Sequence, residues 1–261
     1  MGKKKSRLNG LTRFLSSHPI CCFCGGIEKA TTQDHLPPKS VFDSKKWPIG
    51  YVFPACSKCN NDSSKDDSIF AMVSRINPSE KESEVVSRET EKLIKAYIEL
   101  YPDEAGSIIL SANQKRRLAK KHGLQIGQGQ TYGELPLVSV PSGWNQAIDI
   151  VNIKIIKALH YKHTGKIVPH NSAIKTKWWS NADFMAGKFP KELNGLVRED
   201  VQLKRDNVSL NKQFSYSVQI SEDGHLGMYG IYFRMSFYVV GLVAFDANML
   251  KLNERGTGAD S

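Results

Sequence analysis

Beyond residue 59 the chain has no cysteine, and before Glu28 it has no acidic residue. All five cysteines (Cys21, Cys22, Cys24, Cys56 and Cys59) are thereby confined to its N-terminal part. An odd number in two tight groups, with no apolar export segment in Met1 to Ser16, argues against a disulfide framework. Metal binding in a reducing compartment fits better, and a cytoplasmic location is expected. Long apolar runs are also missing. The richest stretch, Tyr229 to Phe245, is interrupted by Arg234 and by glycines, so it reads as strands and predicts no membrane partner. Internal repeats and long low-complexity segments are absent. Hydrophobic residues nevertheless make up 40% of the 261 positions, which supports a packed core.

The missing acids leave a basic opening of Lys3, Lys4, Lys5, Arg7 and Arg13, within a formal net charge of +10. Two further basic groups follow: Lys115, Arg116, Arg117, Lys120 and Lys121, then Lys154, Lys157, Lys162, Lys166, Lys175 and Lys177. An acid-rich interval from Asp62 to Glu104 lies between the opening and the second group. Separated basic faces favour an anionic partner, nucleic acid first. Gly2 with Ser6 matches a short lipidation pattern, but the opening reads as a basic arm.

Patterning divides the chain into an arm (1–17), a Cys-, Pro- and Gly-rich unit (18–68), an α+β region (69–253) and a flexible tail (254–261). Ser79 with Glu82 forms a capping box ahead of Val86, Leu93 and Tyr97, and Pro102 closes that helix. A second helix is expected from about Ser107 to His122, with Gly123 as its stop. Trp144, Ile148, Val151, Ile155 and Leu159 form an apolar stripe that ends before Gly165. Phe214 to Ile220, Met228 to Phe237 and Tyr238 to Phe245 read as strands, with Glu222-Asp223-Gly224 as a turn. The fold class expected is α+β, helices first and an antiparallel sheet last.

The chemistry lies between the cysteine groups. Cys21-x-x-Cys24 and Cys56-x-x-Cys59 have the spacing of two knuckles closing one tetrahedral zinc site, structural because no position stays open. Cys22 is left over, either as a small apolar group or as a competitor of Cys21. Asp34-His35 lies between the knuckles, and Asn60-Asn61-Asp62 follows the second. An imidazole can deprotonate water near neutral pH, and a carboxylate with an amide oxygen suits a hard divalent ion. Read singly, Asp34 could be a turn group, His35 a fourth zinc ligand and Asn60 a helix cap. His160 and His163 share a helix face but lack further ligands, and Trp178-Trp179 reads as core before base-stacking platform.

The order Cys-x-x-Cys, Asp34-His35, Cys-x-x-Cys-Asn60 resembles the HNH endonuclease superfamily, most closely its phage endonuclease VII branch. The same signature occurs in bacterial HNH proteins of restriction and phage-defence systems. The resemblance covers residues 18 to about 68. It implies a ββα-metal finger in which His35 is the general base and Asp34 and Asn60 hold one Mg²⁺ or Mn²⁺, with Asp62 as a further candidate ligand. It also implies DNA as substrate, with Lys39 and Lys65 near phosphates; the charge clustering adds Lys115, Arg116, Arg117, Lys120 and Lys121 as candidate nucleic-acid contacts. The family usually carries a middle Asn on the second strand, roughly where this chain has Tyr51. Two other functions fit the same residues: a non-catalytic zinc-finger module that binds nucleic acid, and a nuclease effector switched on by a partner protein in a defence complex.

Overall fold

The computed structural model describes residues 2–76, 84–104, 108, 110–121, 123, 126, 129, 131–134, 140–185, 187–196, 201–234 and 236–250. The chain is mixed α+β with antiparallel sheets. Its basic opening is a helix, α1, Gly2–Ser17. Leu11, Phe14 and Leu15 recur at helical spacing and are half-buried, and the Phe14 ring lies 4.8 Å from His18. His18 Nδ1 meets the Tyr161 hydroxyl at 2.7 Å, which ties the end of α1 to the middle of the chain.

The cysteine-rich unit contains two short strands, β1 (Thr32–His35) and β2 (Val52–Ala55), paired antiparallel with Asp34 opposite Phe53 and His35 opposite Val52. Helix α2 (Ser57–Asn61) follows at once, because the Cys56 sulfur caps it by accepting the Cys59 N–H at 3.4 Å. Helix α3, Ser64–Arg75, begins with Asp66 and Asp67, acids placed where the helix dipole favours them. Its first turn is exposed at Ser64, Lys65 and Ser68, but from Ile69 to Arg75 every residue is buried, so that part runs through the core.

Helix α4 (Glu84–Leu100) ends before a turn at Pro102–Glu104, as the proline requires. The capping box at Ser79 and Glu82 falls outside the described residues, as does the tail from 254. Helix α5 spans Ala112–Lys121 and is followed by Gly123 with φ of +65°. Helix α6, Ser142–Thr164, buries Trp144, Ile148, Val151, Ile155 and Leu159 and is capped by left-handed Gly165.

The main sheet has the order β3-β8-β7-β6, all antiparallel, from β3 (Ala173–Ser180), β6 (Ser215–Ile220), β7 (Leu226–Phe233) and β8 (Phe237–Ala244). A short helix, α7 (Asn181–Met185), follows β3. A small hairpin, β4 (Lys204–Arg205) with β5 (Val208–Ser209), stands apart from the sheet. Gly241 lets α6 lie directly on β8, since a side-chain carbon there would collide with Ile156.

One continuous core joins the parts. Cys22, Phe23, Leu36, Phe42, Tyr51 and Phe53 from the cysteine-rich unit belong to the same apolar cluster as Phe70, Ile155, Phe214 and Phe233. The seam is polar as well. Asp43 Oδ1 lies 3.1 Å from the fully buried Arg75 and 2.6 Å from Arg234, and Arg75 also reaches Glu89 at 3.0 Å. Among the described residues, no helix is long and apolar enough to cross a membrane.

Candidate metal centre and active site

The sulfurs of Cys21, Cys24, Cys56 and Cys59 all lie within 4.8 Å of one another. Tetrahedral zinc thiolates, with Zn–S near 2.3 Å, place sulfurs roughly 3.8 Å apart, so the group could hold a metal such as zinc. Local backbone supports it: the N–H of Phe23 donates to the Cys21 sulfur at 3.4 Å and that of Glu28 to the Cys24 sulfur at 3.3 Å. Gly25 turns the first knuckle with φ of +75°, at a point where any side chain would strike the His170 backbone. Cys22 stands outside the group. It is fully buried, and burial pushes its thiol well above the ordinary range, so it packs as a small apolar side chain.

Asp34 ends up 8% exposed at the end of β1, and both of its oxygens are engaged. Oδ1 accepts the His35 N–H at 2.8 Å, and Oδ2 accepts from Lys154 of α6 at 2.8 Å. The Lys154 ammonium donates further to Ser63 Oγ at 2.7 Å and to the Cys59 carbonyl at 3.1 Å. Asn60 Nδ2 donates to Thr32 Oγ1 at 3.3 Å, which sets the Asn60 side chain against β1. Thr32 and Asp34 alternate along the strand and share a face, so the amide and the carboxylate lie on one side of it. Asp62 is exposed at the end of α2. The donor types suit a hard divalent ion, one carboxylate and one amide oxygen. The carboxylate oxygen that such an ion would need carries the ammonium.

His35 is half-buried with its ring edge-on to Trp47, centroids 4.7 Å apart. Burial, and then the nearby Lys39 ammonium, lower its pKa to about 4, so the imidazole is neutral at neutral pH. The Lys39 ammonium lies 4.0 Å from the Trp47 centroid and the Arg205 guanidinium 4.7 Å from it. The β4–β5 hairpin reaches this point because the Ile49 N–H donates to the Lys204 carbonyl at 3.3 Å. His35 is therefore bordered by the Trp47 ring and the Lys39 ammonium, and Arg205, from a segment far off in sequence, packs on the same ring.

Asp67 lies behind Asp34. It accepts from Ser63 Oγ at 3.4 Å through Oδ2, while Oδ1 is buried without a hydrogen-bond partner. Burial raises its pKa to about 7, against the lowering effect of Lys154.

The remaining candidates separate into committed and exposed groups. Lys65 pairs with Glu104 at 2.8 Å and covers the Tyr101 ring. Lys115 donates to the Gly133 carbonyl at 2.8 Å, whereas Arg116, Arg117, Lys120 and Lys121 are exposed on α5. In the lysine-rich stretch that begins on α6, Lys154 is buried and Lys157 half-buried, whereas Lys162 and Lys166 stay exposed while bonding backbone carbonyls. Lys157 donates to the Phe23 carbonyl at 2.7 Å, Lys162 to that of Gly50 at 3.1 Å, and Lys166 to that of Asp223 at 2.6 Å. Tyr51 is 3% exposed, with its hydroxyl 2.8 Å from that of Tyr216, which in turn meets His163 at 2.9 Å. His160 is fully buried between the Tyr229 hydroxyl and the Gly224 carbonyl. Neither histidine joins a metal-ligand group among the described residues. Trp178 and Trp179 are both half-buried, edge-on to Phe237 and Phe189 respectively.

The sequence motif did not point to Lys154, Ser63, Trp47, Arg205 or Asp67. Lys154 alone carried a signal, since it stands three residues after Val151 and four before Ala158, on the apolar face of its helix. Compared with known proteins, the chain matches no family model, no curated protein and no solved structure.

Proposed function

We propose that the chain is an HNH-type endonuclease that hydrolyses phosphodiester bonds in DNA, its ββα-metal finger closed by one structural zinc. The observation that carries this reading is that Asn60, which directly follows the last thiol of the four-cysteine group, donates its side-chain amide to Thr32 on β1, the strand that ends in Asp34-His35. In the proposed reaction the neutral His35 imidazole takes a proton from water, whose oxygen attacks phosphorus. The bond to the 3′-oxygen breaks, leaving 5′-phosphate and 3′-hydroxyl ends. Asp34 and Asn60 are the residues that would hold Mg²⁺ or Mn²⁺, and that ion would supply positive charge for the leaving oxygen. Trp47 fixes one edge of the base, while Lys39 and Arg205 offer cations to the flanking phosphates. The exposed cations of α5 add a longer-range attraction that salt would weaken.

The test is nicking of supercoiled plasmid by the zinc-loaded protein with Mg²⁺ or Mn²⁺, beside His35→Ala. Loss of a general base lowers the rate by about 100-fold or more. If wild type and variant both bind DNA and neither nicks it with any divalent ion, the catalytic reading fails. A second reading, a zinc-dependent module that binds nucleic acid without cutting it, draws on the ammonium already seated on Asp34. That result would favour it.

A further inference from the structure

The Lys154–Asp34 contact has no part in the hydrolysis just described. Lys154 is 8% exposed and its three N–H groups are all committed, to Asp34 Oδ2, Ser63 Oγ and the Cys59 carbonyl. With Asp34 Oδ1 taken by the His35 N–H, a divalent ion approaching this carboxylate meets another cation first. A second carboxylate stands beside it. Ser63 Oγ, which accepts from Lys154, also contacts Asp67 Oδ2, and Asp67 Oδ1 is buried with no donor. An unpartnered buried carboxylate oxygen is costly. A nearby ammonium on a flexible four-carbon stem is the donor it lacks.

We propose that Lys154 is an exchangeable counter-ion: it neutralises Asp34 while no divalent ion is bound, and swings past Ser63 to Asp67 when an ion takes Asp34. The proposal rests on the nuclease reading, because it requires an ion at Asp34. One buried ion pair, Lys154 with Asp34, is replaced by two, the ion with Asp34 and Lys154 with Asp67, and any proton that Asp67 holds passes to water as the ammonium arrives. Lys154 thus sets how tightly the ion binds, and Asp67 makes its departure affordable in energy.

The experiment is Mn²⁺ titration of the zinc-loaded full-length chain, followed by the electron paramagnetic resonance of free Mn²⁺. It compares wild type, Lys154→Met, Asp67→Asn and the double variant. Removing the competitor should tighten Mn²⁺ binding about tenfold, and removing the acceptor should weaken it about fivefold. In the Lys154→Met background the Asp67 substitution should change affinity by less than about twofold, since no ammonium needs a new partner. Equal or weaker binding by Lys154→Met overturns the exchange. So does an Asp67→Asn effect that persists undiminished without Lys154, which would make Asp67 a direct ligand. If Lys154→Met does not fold, Asp67→Asn decides: an unchanged Mn²⁺ affinity overturns the exchange. If wild type and all folded variants fail to bind Mn²⁺, the divalent ion of the nuclease reading falls and the exchange with it. If wild type binds and Lys154→Met binds no tighter, only the exchange falls.

Discussion

Residues 18–68 build order from strands of four residues and a five-residue helix, gathered around four thiols. The C-terminal sheet uses strands of six to eight residues, laid against a 23-residue helix and filled with Phe, Tyr, Ile and Val. The first region has too little apolar surface of its own and is expected to draw its stability from a metal; the second draws it from burial. The two are nonetheless continuous, through Tyr51, Asp43 and the inward lysines of α6. The four-thiol unit is thereby held in place by a conventionally packed region.

Three perturbations test that contrast, and the largest is loss of the metal. Structural zinc sites supply on the order of 10 kcal/mol of folding free energy. Chelation, or Cys56→Ser, should remove about one zinc per chain. Amide hydrogen-exchange protection should then vanish from β1, β2 and α2 and persist in β7 and β8. If both regions lose protection together, they form one cooperative unit and the contrast is broken. Asp43→Ala comes next. It strips Arg75 and Arg234 of their shared carboxylate, and leaving buried charge uncompensated costs about 3–5 kcal/mol. Urea denaturation measures this; a loss under about 1 kcal/mol would mean Glu89 and Gln213 suffice as partners. Tyr51→Phe is the smallest. It deletes one buried hydroxyl contact while Tyr216 keeps His163, for a loss of about 1 kcal/mol. Its plasmid-nicking rate should equal that of wild type. A large drop in that rate would move Tyr51 from the seam into the active site.

What was legible in the sequence followed the range of the forces involved. The knuckles were visible because a Cys-x-x-Cys pair is a local device, and the meeting of Cys21 with Cys59 needed only the assumption of a single metal. The α6 stripe and strands β6 to β8 were visible as period and composition. Strand β3 was not, although Lys175 and Lys177 alternate with Ile174, Thr176 and Trp178, because its lysines read as part of a basic stretch; among the described residues it pairs with β8. Helix α3 was missed because Ile69 to Val73 are buried on all sides and show no polar face. At α1, a run of charges outweighed the helical spacing of Leu11, Phe14 and Leu15. In the site, the motif named the local residues Asp34, His35 and Asn60. Lys154, Asp67 and Arg205 reach it only through tertiary packing, which no short window contains. The carbonyl contacts of Lys157 and Lys162 show the same limit, since a basic stretch looks alike whether its partners are phosphates or backbone carbonyls.

The contact between Lys154 and Asp34 spans 120 residues of chain, and that separation bears on synthesis. As the chain leaves the ribosome, both cysteine knuckles and Asp34-His35 emerge long before the helix that supplies the counter-charge. Until then the carboxylate is open to any passing cation, and the carbonyls of Phe23 and Gly50 lack their lysine donors. A product truncated ahead of α6 would contain all four clustered thiols with Asp34, His35 and Asn60 and still be unfinished. The finger is shorter in sequence than in structure, and transplanting residues 18–68 alone would leave part of the site behind.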